Sequence, residues 1–60
     1  MKMTPEELRE AYIRRLKREK QCYIAEVTNI YPTVLSAFKN GKIDLYPELH
    51  ERLEAYLANN

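Results

Sequence analysis

Residues that begin or end helices interrupt this chain at short intervals, and their spacing constrains the fold more than any other feature. Proline stands at positions 5, 32 and 47, and proline suits the first turn of a helix. Asn29 and the pair Asn40-Gly41 are residue types that adopt the left-handed conformation at helix ends. Apolar residues recur between these signals at intervals of three or four, and no segment alternates as a strand does. The sequence therefore predicts short helices.

Four helices follow from these signals. The first opens with a capping box, in which Thr4 and Glu7 satisfy each other's backbone N–H groups. The helices are expected over about residues 5–18, 21–28 and 32–40 and from Pro47 onward. With 60 residues the chain forms one domain, residues 1–60, and the predicted fold is an all-α, compact bundle of four to five short helices.

The cysteine content favours a reducing compartment. Cys22 is the one cysteine, whereas small secreted domains usually carry several paired cysteines, so we expect a cytoplasmic protein. We expect Cys22 to be a half-buried small residue, and a reactive or intermolecular thiol is the alternative. No apolar stretch approaches the roughly 20 residues of a membrane span, and the charged segment Met1–Leu16 does not resemble a signal peptide. We expect no membrane contact.

Charge is distributed unevenly along the chain, although the formal net charge is only +1. Residues 1–42 carry nine Lys and Arg against five Glu, which gives +4. Residues 43–60 carry one Arg against one Asp and three Glu, which gives −3. A basic front and an acidic rear suit a protein that presents one face to a polyanion.

The residue types needed for catalysis or metal binding do not cluster in the sequence. His50 has no second His or Cys with which to form a metal site. Glu6, Glu7 and Glu10 are helix-start charges without a partner base or nucleophile. Gly41 is the single glycine, so a glycine-rich phosphate loop is excluded. We expect a protein that is not an enzyme and that takes no cofactor, metal or small-molecule ligand.

The segment IAEVTNIYPTVLSAFKNGK, residues 24–42, contains two short helical patterns separated by a tight polar break. Two short helices joined by a three- or four-residue turn form the helix-turn-helix unit. Its first helix crosses the DNA backbone, and its second helix lies in the major groove. Ala25 supplies a small residue where the helices cross, and Asn29 supplies the turn. Ile30, Leu35 and Phe38 are expected to fill the shared core.

This segment resembles the helix-turn-helix of the phage repressor and Cro-like proteins, the XRE-type domain, over roughly residues 10 to 58. The matching residues are Gln21, Ile24-Ala25, Asn29-Ile30, Leu35-Ser36, Phe38 and Asn40-Gly41-Lys42. The resemblance implies a lambda-repressor-like DNA-binding fold and a sequence-specific transcriptional regulator of a phage or mobile element, most simply a repressor. Its partners would be a double-stranded DNA operator and a second copy of the chain, since the family usually binds as a homodimer.

The resemblance also implies which residues would contact DNA. The residues that would face the bases are Tyr31, Pro32, Thr33, Ser36 and Ala37. The residues that would reach phosphates are Arg14, Arg15, Lys17, Arg18, Lys20, Gln21, Lys39, Asn40 and Lys42. The chain departs from the family pattern where Asn29 replaces a glycine and Tyr31 replaces a capping Ser or Thr. The start of the third helix also lacks the Arg, Gln or Asn that makes bidentate base contacts, so readout would rely partly on DNA shape.

Two features leave alternatives open at this point. The basic run RRLKREK, residues 14–20, predicts either a phosphate clamp or a solvated helix face with cations near a helix C-terminus. The last helix offers either a dimer interface or ordinary core packing through Tyr46, Leu49, Leu53 and Tyr56. An alternative function is a small phage-encoded inhibitor that uses the same scaffold to bind protein or RNA.

Overall fold

The computed structural model describes residues 3–58 and contains four helices in that range. They are α1 (Pro5–Arg15), α2 (Gln21–Thr28), α3 (Pro32–Lys39) and α4 (Pro47–Ala58). No strand occurs within residues 3–58. The helices form a compact globule with a Cα radius of gyration of 10.0 Å. The prediction of an all-α fold built from short helices is confirmed.

The start of α1 is formed by the predicted capping box. Thr4 N–H donates to Glu7 Oε1 at 2.9 Å, and Glu7 N–H donates to Thr4 Oγ1 at 3.1 Å. The end of α1 differs from the prediction, because the helix stops at Arg15 and residues 16–18 form a turn. Bonds of the tighter i→i−3 type satisfy two of the last carbonyls there, since Lys17 N–H donates to Arg14 O at 3.2 Å and Arg18 N–H donates to Arg15 O at 2.9 Å.

The connection from α2 to α3 is a tight left-handed turn. Asn29 has φ 58° and ψ 39°, the conformation that a side-chain amide tolerates better than most residues. The following N–H of Ile30 donates back to Ala25 O at 3.1 Å, and both of these side chains are buried. This pairing is the Schellman helix end, with its usual apolar contact between the two residues. The predicted stop at Asn29 is confirmed.

The end of α3 is a second Schellman motif, with a glycine in the left-handed position. Gly41 has φ 78°, and the N–H of Lys42 donates to Ala37 O at 3.0 Å. The N–H of Gly41 donates to Phe38 O at 3.1 Å. The chain then leaves the helix toward α4, with Leu45 buried along the way.

One core joins all four helices. Its buried apolar members are Leu8, Tyr12, Ile24, Ala25, Ile30, Leu35, Phe38, Leu45, Leu53 and Leu57. The Tyr12 and Phe38 rings lie 6.3 Å apart between centroids and pack at 43°, which joins α1 to α3. The expectation that Cys22 is half-buried is wrong, because it is exposed, and the neighbouring Tyr23 is 51% exposed. Both residues occupy the outer side of α2, whose inner side is formed by Ile24, Ala25 and Thr28.

Arg9 holds the end of α3 against α1, a role that the sequence did not indicate. Its Nε donates to Phe38 O at 2.6 Å, and its Nη2 donates to Ile43 O at 3.1 Å and Asp44 Oδ1 at 2.9 Å. The guanidinium carbon also lies 4.7 Å from the centroid of the Phe38 ring. Four contacts from one side chain therefore fix where α3 ends relative to α1.

Candidate nucleic-acid interface

The beginning of α3 projects into solvent while its later residues anchor it. Tyr31, Pro32 and Thr33 are exposed, and the Tyr31 side chain is 79% exposed. Leu35 and Phe38 have no exposed surface, so they fix the helix in the core. Ser36 and Ala37 are half-buried. The residues expected to face bases therefore include three fully accessible positions at the helix start and two partly accessible positions on the next turn.

The start of α3 has no side-chain cap. Tyr31 occupies the N-cap position in an extended conformation, with φ −61° and ψ 138°, and its side chain makes no capping hydrogen bond. The first backbone N–H groups of a helix have no partner within the helix, and the helix dipole places partial positive charge there. An exposed helix start of this kind favours an anionic neighbour.

Gln21 brings the starts of α2 and α3 together. Its Oε1 accepts a hydrogen bond from Tyr12 Oη at 3.0 Å, and its Nε2 donates to Pro32 O at a long 3.4 Å. Burial of the phenol raises the pKa of Tyr12 to about 12. Gln21, which is expected to contact a phosphate, is therefore held by the buried Tyr12 and lies beside the exposed start of α3.

Lys17 and Lys39 line one groove. It lies between the turn after α1 and the end of α3, has a volume of about 390 Å³, and is also lined by Ile13, Leu16 and Asn40. The fold thus brings Lys17 beside Lys39 and Asn40, which lie more than twenty positions later in the sequence. All three residues are expected to reach phosphates.

The basic run that follows α1 is divided between two sides of the molecule. Arg14 and Arg18 line a different groove, which faces α4 and includes Leu57. They do not share the groove of Lys17 and Lys39. The division follows from helical geometry, because adjacent residues project about 100° apart, so a continuous run of cations cannot occupy one face.

Arg15 is used inside the protein. Its Nη2 donates to Leu57 O at 3.0 Å, its Nη1 lies 3.6 Å from Glu19 Oε2, and its guanidinium carbon is 5.4 Å from the Tyr56 ring centroid. Its side chain is only 9% exposed. The expectation that Arg15 contacts a phosphate therefore requires correction, because its charged group ties the turn after α1 to α4.

The remaining cations separate into paired and unpaired groups. Ion pairs within residues 3–58 join Arg9 to Asp44, Arg15 to Glu19 and Arg52 to Glu48. The six other Lys and Arg residues of this range form no ion pair, and they are Arg14, Lys17, Arg18, Lys20, Lys39 and Lys42. All six are exposed, so their charges are available to a polyanion.

The four residues expected at a dimer interface do not form one surface. Leu53 has no exposed surface, and Tyr56 is half-buried with its hydroxyl donating to Glu19. Burial and the neighbouring Glu19 carboxylate raise the pKa of Tyr56. Leu53 and Tyr56 therefore belong to the packing of α4. Tyr46 is 77% exposed, and with half-buried Leu49 it lines a groove of about 310 Å³.

A fourth groove follows α2 and the turn that leads into α3. It has a volume of about 440 Å³ and is lined by Cys22, Ala25, Glu26, Asn29, Ile30, Tyr31 and Pro32. Glu26 places a negative charge beside the start of α3, which opposes close approach of a phosphate on that side. An anionic partner is therefore favoured on the side of Lys17 and Gln21.

Within the described residues, no three metal-ligating side chains gather at one place. None of the helices in residues 3–58 has both the length and the apolar character required to cross a bilayer. Comparisons of the chain with protein-family models, curated proteins and solved structures give no match. The functional argument therefore depends on the geometry and charge of the chain itself.

Proposed function

We propose that this chain is a sequence-specific, double-stranded DNA-binding transcriptional regulator, most simply a repressor, of the phage repressor and Cro-like type. In this proposal α2 and α3 form a helix-turn-helix, and α3 enters the major groove of an operator. The observation that carries the proposal is the pair of eight-residue helices joined across Asn29, with the start of α3 exposed and its later residues buried.

The distribution of unpaired charge supports this orientation. Lys17 and Lys39 share one groove, and Gln21 contacts the first turn of α3. Phosphates that flank the major groove would contact these residues, together with Asn40 and exposed Lys20 and Lys42. Phosphate contacts fix the position of a protein on the duplex but carry no sequence information. Arg14 and Arg18 face α4 and take no part in this contact.

Base recognition would come from the exposed start of α3. Thr33 and Ser36 offer hydroxyl groups, Tyr31 offers a phenol and a ring, and Ala37 and Pro32 offer apolar contact to a thymine methyl. Hydroxyl and apolar contacts discriminate less sharply than bidentate Arg, Gln or Asn contacts. We therefore expect modest direct readout and a contribution from sequence-dependent DNA shape.

Selection from random duplex DNA at about 50 mM and then about 200 mM salt tests the proposal, since specific binding survives salt better than binding through charge alone. Enrichment of a short palindrome at the higher salt supports an operator-binding homodimer. Absence of any enriched sequence refutes sequence-specific binding.

Variants then locate the contact surface. On a duplex that carries one enriched half-site, Lys17→Gln and Lys39→Gln should each weaken binding and lower the salt slope by about one. Arg18→Gln is the matched control, because it removes an equally unpaired cation on the α4 side. Thr33→Ala and Ser36→Ala should relax sequence preference with little change in salt slope. Equal effects of Lys17→Gln and Arg18→Gln would refute the proposed orientation.

A second candidate is a protein-binding inhibitor on the same scaffold. It is favoured by the groove that Val34, Ile43, Leu45, Tyr46 and Leu49 line, in which Ile43 is 43% and Tyr46 is 77% exposed. If the random-DNA selection fails, Tyr46→Ala should abolish binding to the protein partner, whereas Thr33→Ala should not. RNA binding is the other outcome that this selection leaves open, and a random single-stranded RNA pool tests it.

A further inference from the structure

The outer face of α1 carries its charges in an order that is self-complementary. Residues 7, 11, 14 and 18 follow one another at spacings of four, three and four, which places them along one side of the helix and its following turn. Glu7 lies at the beginning of this face, and Arg14 and Arg18 lie toward its end. Glu10 adjoins the face, and the small residue Ala11 lies between the two signs of charge.

This face borders a continuous groove between α1 and α4. One part, about 480 Å³, is lined by Glu7, Glu10, Glu54 and Ala58, and the other, about 230 Å³, is lined by Arg15, Arg18 and Leu57. The two parts adjoin, since Met3, Ala11 and Arg14 line both. The groove therefore has an acidic end, a basic end and small or apolar residues between them.

The outer charges on this face are not neutralised within the chain. Glu10 and Arg14 are four positions apart on α1, a spacing that allows an ion pair, yet neither forms one within residues 3–58. Arg18 also lacks an ion pair in this range. Glu7 accepts the Thr4 N–H and remains exposed. Glu54 and Arg15 are bound inside the protein and are not available.

We infer that this α1–α4 groove binds a second copy of the chain, with the two α1 helices antiparallel across a two-fold axis that passes between Ala11 and Arg14. A two-fold contact pairs residue i with residue j and residue j with residue i. In antiparallel order, Glu10 faces Arg14 of the partner subunit, and Glu7 faces Arg18 of the partner subunit. Each ion pair occurs twice, and Ala11 allows the helices to approach closely.

The other accessible apolar surface suits a second copy less well. The groove beside Tyr46 is lined by Asp44, and the neighbouring turn of α4 carries exposed Glu48. Both acidic groups are already paired within the chain, Asp44 with Arg9 and Glu48 with Arg52, so a two-fold contact centred on Tyr46 would gain no new pairs of opposite charge from them. The α1–α4 groove brings opposite charges together instead.

The inference rests on the proposed function only in that a regulator of two half-sites needs a second copy. The contact uses one short helix and part of α4, and few charged pairs, so we expect a weak dimer that dissociates as salt rises. DNA would strengthen it by holding two copies side by side.

Charge reversal tests the contact directly. Arg14→Glu places a carboxylate against Glu10 of the partner subunit, and Glu10→Arg places a guanidinium against Arg14 of the partner subunit. Each of these repulsive contacts occurs twice per dimer. Each variant alone should therefore weaken self-association by at least about tenfold in sedimentation velocity at low salt. An equimolar mixture of the two variants should restore the dimer, because the contacts between unlike chains again include pairs of opposite charge.

Matched controls separate the contact from net charge and from folding. Lys17→Glu makes the same charge change as Arg14→Glu, but in the turn after α1 and on the side that faces α3. Glu26→Arg likewise matches Glu10→Arg, but on α2. Both controls should dimerise like the unsubstituted chain. Far-UV circular dichroism should show helix content unchanged in all four variants, so that loss of the dimer is not loss of the fold.

Three results would overturn the inference. They are a monomeric unsubstituted chain at all accessible concentrations, a dimer that Arg14→Glu leaves intact, and a mixture that fails to associate. Dissociation by Tyr46→Glu alone would place the dimer at the Tyr46 groove. Binding of a single half-site by monomeric Arg14→Glu is measured separately, so failure of the dimer surface and failure of DNA binding give different results.

Discussion

Replacement of Arg9 by methionine should destabilise this protein, because it removes three hydrogen bonds and a cation–π contact. The Arg9 guanidinium donates to two backbone carbonyls and one carboxylate and stacks on Phe38, while its side chain remains 19% exposed. Methionine keeps much of the apolar stem of arginine but removes every one of these hydrogen bonds.

The magnitude follows from the individual contacts. A hydrogen bond from a charged donor contributes about 1.5–3 kcal/mol, and the Phe38 carbonyl is the closest acceptor, at 2.6 Å. The Asp44 carboxylate is 64% exposed, so that ion pair contributes no more than about 1 kcal/mol. Water can reach the Ile43 carbonyl once arginine is gone, which limits that loss. We expect Arg9→Met to lower the free energy of unfolding by about 2–4 kcal/mol.

Urea unfolding followed by far-UV circular dichroism measures this loss, with Arg9→Lys and Asp44→Asn for comparison. Lysine cannot reach three acceptors at once, so Arg9→Lys should be intermediate, and Asp44→Asn should cost the least. In a domain of this size the Arg9→Met loss corresponds to a melting temperature lower by about 10–25 °C. The reasoning is refuted if Asp44→Asn costs as much as Arg9→Met, because the surface ion pair would then be the main contribution.

Two further predictions concern the turn and the buried phenol. Asn29→Ala should lower the unfolding free energy by about 1 kcal/mol, while Asn29→Gly should leave it nearly unchanged, because φ is 58° at this position; similar urea midpoints for the two variants would contradict this explanation. Burial raises the pKa of Tyr12 from 10.0 to about 12. The contribution of the protonated Tyr12 phenol to the free energy of unfolding is therefore complete below pH 10 and is lost as pH rises toward 12. Over that pH range Tyr12→Phe should lose less stability than the unsubstituted chain, and Tyr23→Phe is the control at an exposed tyrosine. Parallel pH profiles of Tyr12→Phe and the unsubstituted chain would contradict the raised pKa of Tyr12.

The sequence by itself determined where most helices begin and end. The capping box at Thr4, the prolines that open α3 and α4, and the left-handed positions at Asn29 and Gly41 act within a few residues of themselves. Such local signals can be recognised without knowledge of the fold. The spacing of apolar residues also predicted the all-α class and the burial of Leu35 and Phe38, because this periodicity specifies which side of a helix is buried.

The tertiary structure decided how the charges are used. The end of α1 at Arg15 has no local signal, and the Arg15 side chain there bonds to Leu57 O and packs on Tyr56, about forty positions along the chain. The run of cations after Arg14 reads as one cluster in sequence, yet helical rotation divides it between the α3 side and the α4 side. The contacts of Arg9 with the end of α3 also depend on the tertiary structure, because Phe38 lies 29 positions along the chain from Arg9. The partners of a long charged side chain depend on which distant segments pack beside it. The conformational preferences of single residues do not specify that packing.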